Sequence, residues 1–149
     1  MYFNVQDVIQ FQSQKEFIDT VIIPLVSVNL KEDMIKQSSS ATQYLMSLTA
    51  YIEQQFKGRL MLMPPFSYIE QSKESMSLQS IQEEFHGAGF KHVLFITCDH
   101  GWTSQKNEVD VIWLPSIPLE SMDQSVKNTI LQDQLKQVIP ILSSKWSQS

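Results

Sequence analysis

Apolar positions along this chain recur with two periods, and the switches between them outline its elements. Asn4 is placed to cap a helix, with Asp7 three residues on and Val5, Val8 and Ile9 at helical spacing. This predicts a short amphipathic helix from about Asn4 to Gln14. Thr20-Val21-Ile22-Ile23 is a β-branched run and predicts the first strand. Pro24 has no N–H to give a ladder, so it is expected at a strand end, a bulge or an edge, with Leu25-Val26-Ser27-Val28 continuing past the break.

The clearest helical stripe is Tyr44, Leu45, Leu48, Tyr51, Ile52 and Phe56, which predicts a helix from Ser40 to Phe56 with Gly58 ending it. Leu60-Met61-Leu62-Met63 predicts a second strand, stopped by Pro64-Pro65. Ser77 is the next expected cap. Met76 and Ile81 sit at the two positions of a hydrophobic staple, Leu78, Ile81 and Phe85 form a stripe, and Gly87 and Gly89 close the helix. His92 to Cys98 reads HVLFITC; a run so apolar predicts a strand covered on both faces, as in a parallel sheet under helices. Val109 to Leu114 predicts a fourth strand, and its Asp110 suits an edge. The last helix is expected from about Ser121 to Trp146, kinked or split at Pro140.

Helices alternating with strands predict an α/β/α sandwich of three layers, with about four strands in a mostly parallel sheet. Only Asp99 to Glu108 joins the third and fourth strands. That is short for a parallel crossover, so the fourth strand is expected as an antiparallel edge. No repeat or interior linker interrupts the pattern, and one domain over residues 1–149 is the economical organisation.

Composition narrows the function classes. Eleven basic and sixteen acidic residues give a net charge of −5, scattered along 149 residues. No basic stripe stands ready to neutralise phosphates or dock on anionic lipid, so neither nucleic acid nor membrane is an expected partner. No stretch approaches the ~20 apolar residues of a spanning helix, and the amino-terminal residues have no basic-then-apolar signal pattern. The cytoplasm is the expected address. Cys98 stands alone, which leaves no internal disulfide framework.

Candidate chemistry lies where the strands end, because open α/β sheets bind ligands beyond their carboxyl edges. That rule selects Ser27 and Asn29 after the first strand, Ser67 and Tyr68 after the second, and Asp99, His100 and Trp102 after the third. Asp99-His100-Gly101-Trp102 carries the most chemistry: an imidazole near neutral pKa, a carboxylate to orient it, a glycine to turn and an indole to wall a pocket. The same residues also suit a plain turn in which the aspartate caps backbone N–H groups. Cys98 and His100 share a side in extended chain, which permits a cysteine–histidine nucleophile; a cysteine ending an apolar strand is more often inert. His86, His92 and His100 lie on separate elements, and the four glycines fit no phosphate loop, so neither a metal nor a cofactor is implied. Glu70, Lys73 and Glu74 read as decoration of a mobile loop, and Trp113 and Trp146 as packing residues.

Asp19 to Leu25, Phe90 to Phe95 and Trp113-Leu114-Pro115 together resemble a small uncharacterised family from Gram-positive bacilli, over most of the chain. That resemblance implies a cytosolic bacterial protein and supplies no activity. The stretch from Gly89-Phe90-Lys91 to His100-Gly101 is more faintly similar to creatininase-type amidohydrolases, although Ser27-Val28-Asn29-Leu30 stands where their Glu-x-His ligands are expected. Two functions follow as expectations. One is a non-catalytic domain that binds a small molecule or a protein partner. The other is a small-molecule hydrolase with His100 as base and Asp99 as its orienter. The stripe of the last helix also offers a homodimer surface.

Overall fold

The computed structural model describes residues 1–105 and 107–148. The chain runs α1 (Val5–Ser13), β1 (Thr20–Ser27), α2 (Ile35–Gln55), β2 (Leu60–Leu62), β3 (Phe66–Tyr68), a 3-10 helix (Glu70–Ser75), α3 (Leu78–Gly87), β4 (His92–Thr97), a second 3-10 helix (His100–Gln105), β5 (Asp110–Trp113) and α4 (Gln124–Trp146). The two expected caps form: the Asp7 N–H donates to Asn4 Oδ1 and the Ser80 N–H to Ser77 Oγ. The last helix begins at Gln124, after the expected Ser121, and is capped by Asp123, whose Oδ1 accepts from the Val126 N–H.

The strands make one sheet in the order β2-β1-β4-β5, with β3 also bonded to β1, and every pairing is parallel. Side chains alternate across it, as strand geometry requires. Ile22, Val26, Leu94, Ile96 and Ile112 point to one core, shared with Leu45 and Leu48 of α2 and Leu135 and Val138 of α4. Val21, Ile23, Val93, Phe95 and Val111 point to the other, shared with Phe11 of α1, Leu78 of α3 and Trp102. The result is the three-layer α/β/α sandwich.

Four details differ from the sequence expectations. The fourth strand, β5, runs parallel to β4, not antiparallel, with Leu94 opposite Asp110 and Thr97 opposite Trp113. Each strand stops a residue short of its expected bound, so the connection lengthens to Cys98–Val109. A 3-10 helix rises about 2 Å per residue, which carries the chain back along a strand this short. Trp102, 1% exposed, anchors that return path to the sheet. The sheet also has a fifth strand, because the chain re-pairs with β1 after Pro64-Pro65.

Pro24 sits inside β1, a central strand, opposite Ile96 of β4. In a parallel strand alternate residues address opposite neighbours. The Thr20 N–H donates to Arg59 O and Ile22 O accepts from the Met63 N–H, so the even residues of β1 face β2 and β3. Pro24 therefore turns its missing donor toward the interval between those strands, where the neighbouring chain is itself Met63-Pro64-Pro65. Finally, α2 begins at Ile35, before the expected Ser40. Pro140 lies within α4, which is one unsplit helix, the split alternative thus being excluded.

The amino-terminal residues cover the β2 edge, with Met1 O accepting from the Leu62 N–H. The Met1 ammonium lies 2.6 Å from Glu53 Oε2 and neutralises that buried carboxylate of α2. At the far end, Trp146 Nε1–H donates to Thr20 Oγ1 at 2.7 Å. The Arg59 guanidinium lies 4.3 Å from the centre of the Trp146 ring and binds Asp19 through two N–H groups, at 3.1 and 3.2 Å.

The register sets a test. Pro24→Ala costs no more than about 1 kcal/mol, because the restored N–H faces the proline interval. Ile23→Pro, one residue away, costs more than about 3 kcal/mol, through a lost β1–β4 bond and a lost buried side chain. Urea unfolding of both variants measures the pair; equal losses contradict the assignment of facing sides.

Candidate functional site

The order β2-β1-β4-β5 means the chain leaves β1 in one direction through α2 and returns on the other side of β1 through α3. Beyond the carboxyl ends of β1 and β4 the connections therefore diverge and leave a crevice between them. A cleft of about 290 Å³ opens there. Leu25 and Val26 floor it, Ser27 and Asn29 lead out of β1, and Cys98, Asp99 and His100 lead out of β4. Met34, Gln37, Ser38, Ala41 and Thr42 of α2 form one wall, with Ser116 opposite.

Ser38 shapes the β1 exit. Its Oγ–H donates to Ser27 O at 3.0 Å while its Oγ accepts from the Asn29 N–H at 2.9 Å. Thr97 does the same for β4. Its hydroxyl donates to Leu25 O at 3.0 Å, locking the two strands together, and accepts from the Asp99 N–H at 3.0 Å. Both exits are thus fixed by side-chain bonds to backbone before any ligand arrives.

The Asp99 carboxylate is occupied on both oxygens. Oδ1 accepts from the Gly101 N–H at 3.0 Å, the bond of the plain-turn reading. Oδ2 accepts from Tyr68 Oη at 2.5 Å and from Lys73 Nζ at 2.9 Å. Tyr68 Oη accepts in turn from Trp102 Nε1–H at 2.6 Å, and Lys73 Nζ lies 4.9 Å from the centre of the Trp102 ring. Burial alone works to raise the Asp99 pKa; the bonds from Tyr68, Lys73 and Gly101 and the Lys73 charge outweigh it and hold the carboxyl below its ordinary value. Tyr68 moves the other way: burial, then the bond to Asp99, pushes its hydroxyl up. A Cβ on Gly101 would collide with the Lys73 ammonium, so glycine is what lets the lysine reach Asp99.

His100 stands apart from this network. It is exposed, and its ring meets Trp113 edge-on at 4.9 Å. Among the described residues it makes no hydrogen bond to Asp99, so the two are neighbours in sequence without forming an oriented pair. Cys98 lines the cleft half-buried, and burial pushes its thiol up to about 12, far from the thiolate a nucleophile needs.

The cleft thus brings together Ser27, Asn29, Asp99 and His100 from among the candidates. Tyr68 and Trp102 lie below Asp99 in the opposite core, and Ser67 is exposed on β3. Lys73, read from sequence as loop decoration, is tied into the structure by Asp99. Its sequence distance of 26 residues from that partner left no local signal. The α2 wall was legible in principle: Ser38, Ala41 and Thr42 are spaced three and four apart, a small and polar stripe on one helix face.

Two outcomes follow. A carboxyl whose folded pKa lies below its unfolded one stabilises the fold above the unfolded value, and that contribution vanishes as pH falls through the folded value. Asp99→Asn is therefore less stable than the parent by about 1–3 kcal/mol at pH 7. The gap narrows below about pH 4, which urea midpoints across pH measure. Cys98 at pH 8 reacts with iodoacetamide roughly a thousandfold more slowly than a free thiol; a rate near that of glutathione contradicts its burial.

Among the described residues no helix is long and apolar enough to cross a membrane. No solved structure matches the chain, and nothing found supports the likeness to creatininase-type amidohydrolases. The chain is similar to "Uncharacterized protein YpiF" of Bacillus subtilis (strain 168), 28% identical over 148 residues that cover 99% of each chain. The model of one family matches residues 9–146, and the chain belongs to that family, described as Protein of unknown function (DUF2487).

Proposed function

We propose that this protein is a non-catalytic small-molecule-binding domain of the bacterial cytosol, and that its ligand is small and uncharged. The observation that carries this reading is the makeup of the cleft where the winding reverses. Its floor is apolar, from Leu25, Val26 and Leu45, and its hydrogen-bonding groups, besides Asp99 and His100 at the β4 exit, are uncharged hydroxyls and amides, among them Ser27, Asn29, Gln37 and Ser116. The carboxylate that reaches it is already balanced by Lys73 at 2.9 Å. A neutral ligand with a few hydroxyl or amide groups satisfies such a surface, whereas a charged one meets no countercharge.

Hydrolysis is the second reading, and its support is that His100 and Cys98 open onto the same cleft. It lacks a base–orienter hydrogen bond and an activated thiol, and so ranks below binding.

A screen of small polyols and amides against the isotope-labelled protein separates the two. Binding shifts the amide signals of Ser27, Asn29 and Ser38 to Thr42, and Ala41→Phe, which fills the wall, removes the response. Shifts elsewhere that ignore Ala41→Phe sink the proposal. Turnover of an ester or amide that is lost in His100→Ala replaces it with the hydrolase reading.

A further inference from the structure

A second cavity, of about 380 Å³, lies at the opposite end of the sheet, where β4 and β5 begin. Such a volume falls in the ~300–1,000 Å³ range of ligand pockets. Its lining is almost wholly polar. His92, the first residue of β4, is only 9% exposed. Its backbone N–H donates to Asp19 O at 2.9 Å, but among the described residues its ring nitrogens have no hydrogen-bond partner. No fully enclosed side-chain nitrogen or oxygen of the described residues lacks a partner. The His92 ring nitrogens therefore keep some access to solvent, His92 lines this cavity, and an imidazole unmatched by protein is completed by what enters.

The surrounding groups define what that is. His86 Nδ1 lies 2.8 Å from Phe90 O, and a carbonyl only accepts, so Nδ1 carries the hydrogen of that bond. Lys145 Nζ and Asp110 Oδ1 neutralise each other at 2.6 Å. Lys91 and Glu108 also line the cavity, and neither has an ion-pair partner among the described residues. The cavity so offers one ammonium, one carboxylate and two imidazoles.

We propose that this cavity binds a small zwitterion of the free amino-acid class, its ammonium toward Glu108, its carboxylate toward Lys91 and its polar atoms completing His92. The site is separate from the cleft at the other end of the sheet and does not depend on that reading.

The test follows the His92 ring signals in histidine-labelled protein during titration with glycine, serine and glutamine. Ethanolamine serves as the cation alone and acetate as the anion alone. The amino acids are expected to shift His92 and saturate at millimolar levels, with both half-ligands at least roughly tenfold weaker. Lys91 and Glu108 are exposed, so Lys91→Met and Glu108→Gln leave the fold intact; each weakens binding by roughly tenfold. No His92 response to any amino acid by about 50 mM overturns the proposal. So does acetate or ethanolamine matching the amino acids, or a response that persists in the double variant.

Discussion

The parallel pairing of β1 with β4, from Thr20 opposite His92 to Leu25 opposite Thr97, is the constraint on which the molecule is organised. Both strands are buried on both faces, so this ladder is the seam from which two separate cores are hung. A slip of β1 by one residue would send Ile22 and Val26 into the α1–α3 layer and Val21 and Ile23 into the α2–α4 layer, against a β4 that had not moved. The Thr97 hydroxyl bond to Leu25 O fastens the seam at its carboxyl end, where the cleft begins. The apolar floor of the cleft and the entry of Asp99 are consequences of that one register.

The elements with strong local signals were legible in the sequence. The HVLFITC run could only be a strand covered on both sides, and Asn4 and Ser77 named their helices because capping is a contact between near neighbours. What escaped was set by distant partners. A proline in a central strand reads as impossible until the neighbouring chain is seen to place Pro64 and Pro65 beside it. The direction of β5 depended on Trp102 anchoring a short return path, and a buried tryptophan cannot be told from a pocket wall by its position alone. A cleft does open at the ends of β1 and β4, among the strand exits that the rule selects. It could not say that Asp99 would turn inward to Tyr68 and Lys73 while His100 turned out to Trp113.

The two ends of the sheet differ in how their charges are settled. At the carboxyl end the charged groups are consumed within the protein. Asp99 and Lys73 satisfy each other under the indole of Trp102, and the space above them is left to neutral groups. At the amino end Asp110 and Lys145 cancel, whereas among the described residues Lys91 and Glu108 form no ion pair and the His92 ring has no hydrogen-bond partner. One scaffold thus presents a neutral surface and a charge-separated one about a strand length apart.

The clasp between Trp146 and Thr20 has a consequence for how the chain comes to be folded. Trp146 closes over the start of β1 and carries the guanidinium that grips Asp19. During synthesis β1 emerges well before α4, so the α2–α4 layer lacks part of its cover until α4 has been made. Until then the growing chain leaves the apolar row of Ile22, Leu94 and Ile112 incompletely covered, the kind of exposed apolar surface that makes a partly folded chain prone to aggregate.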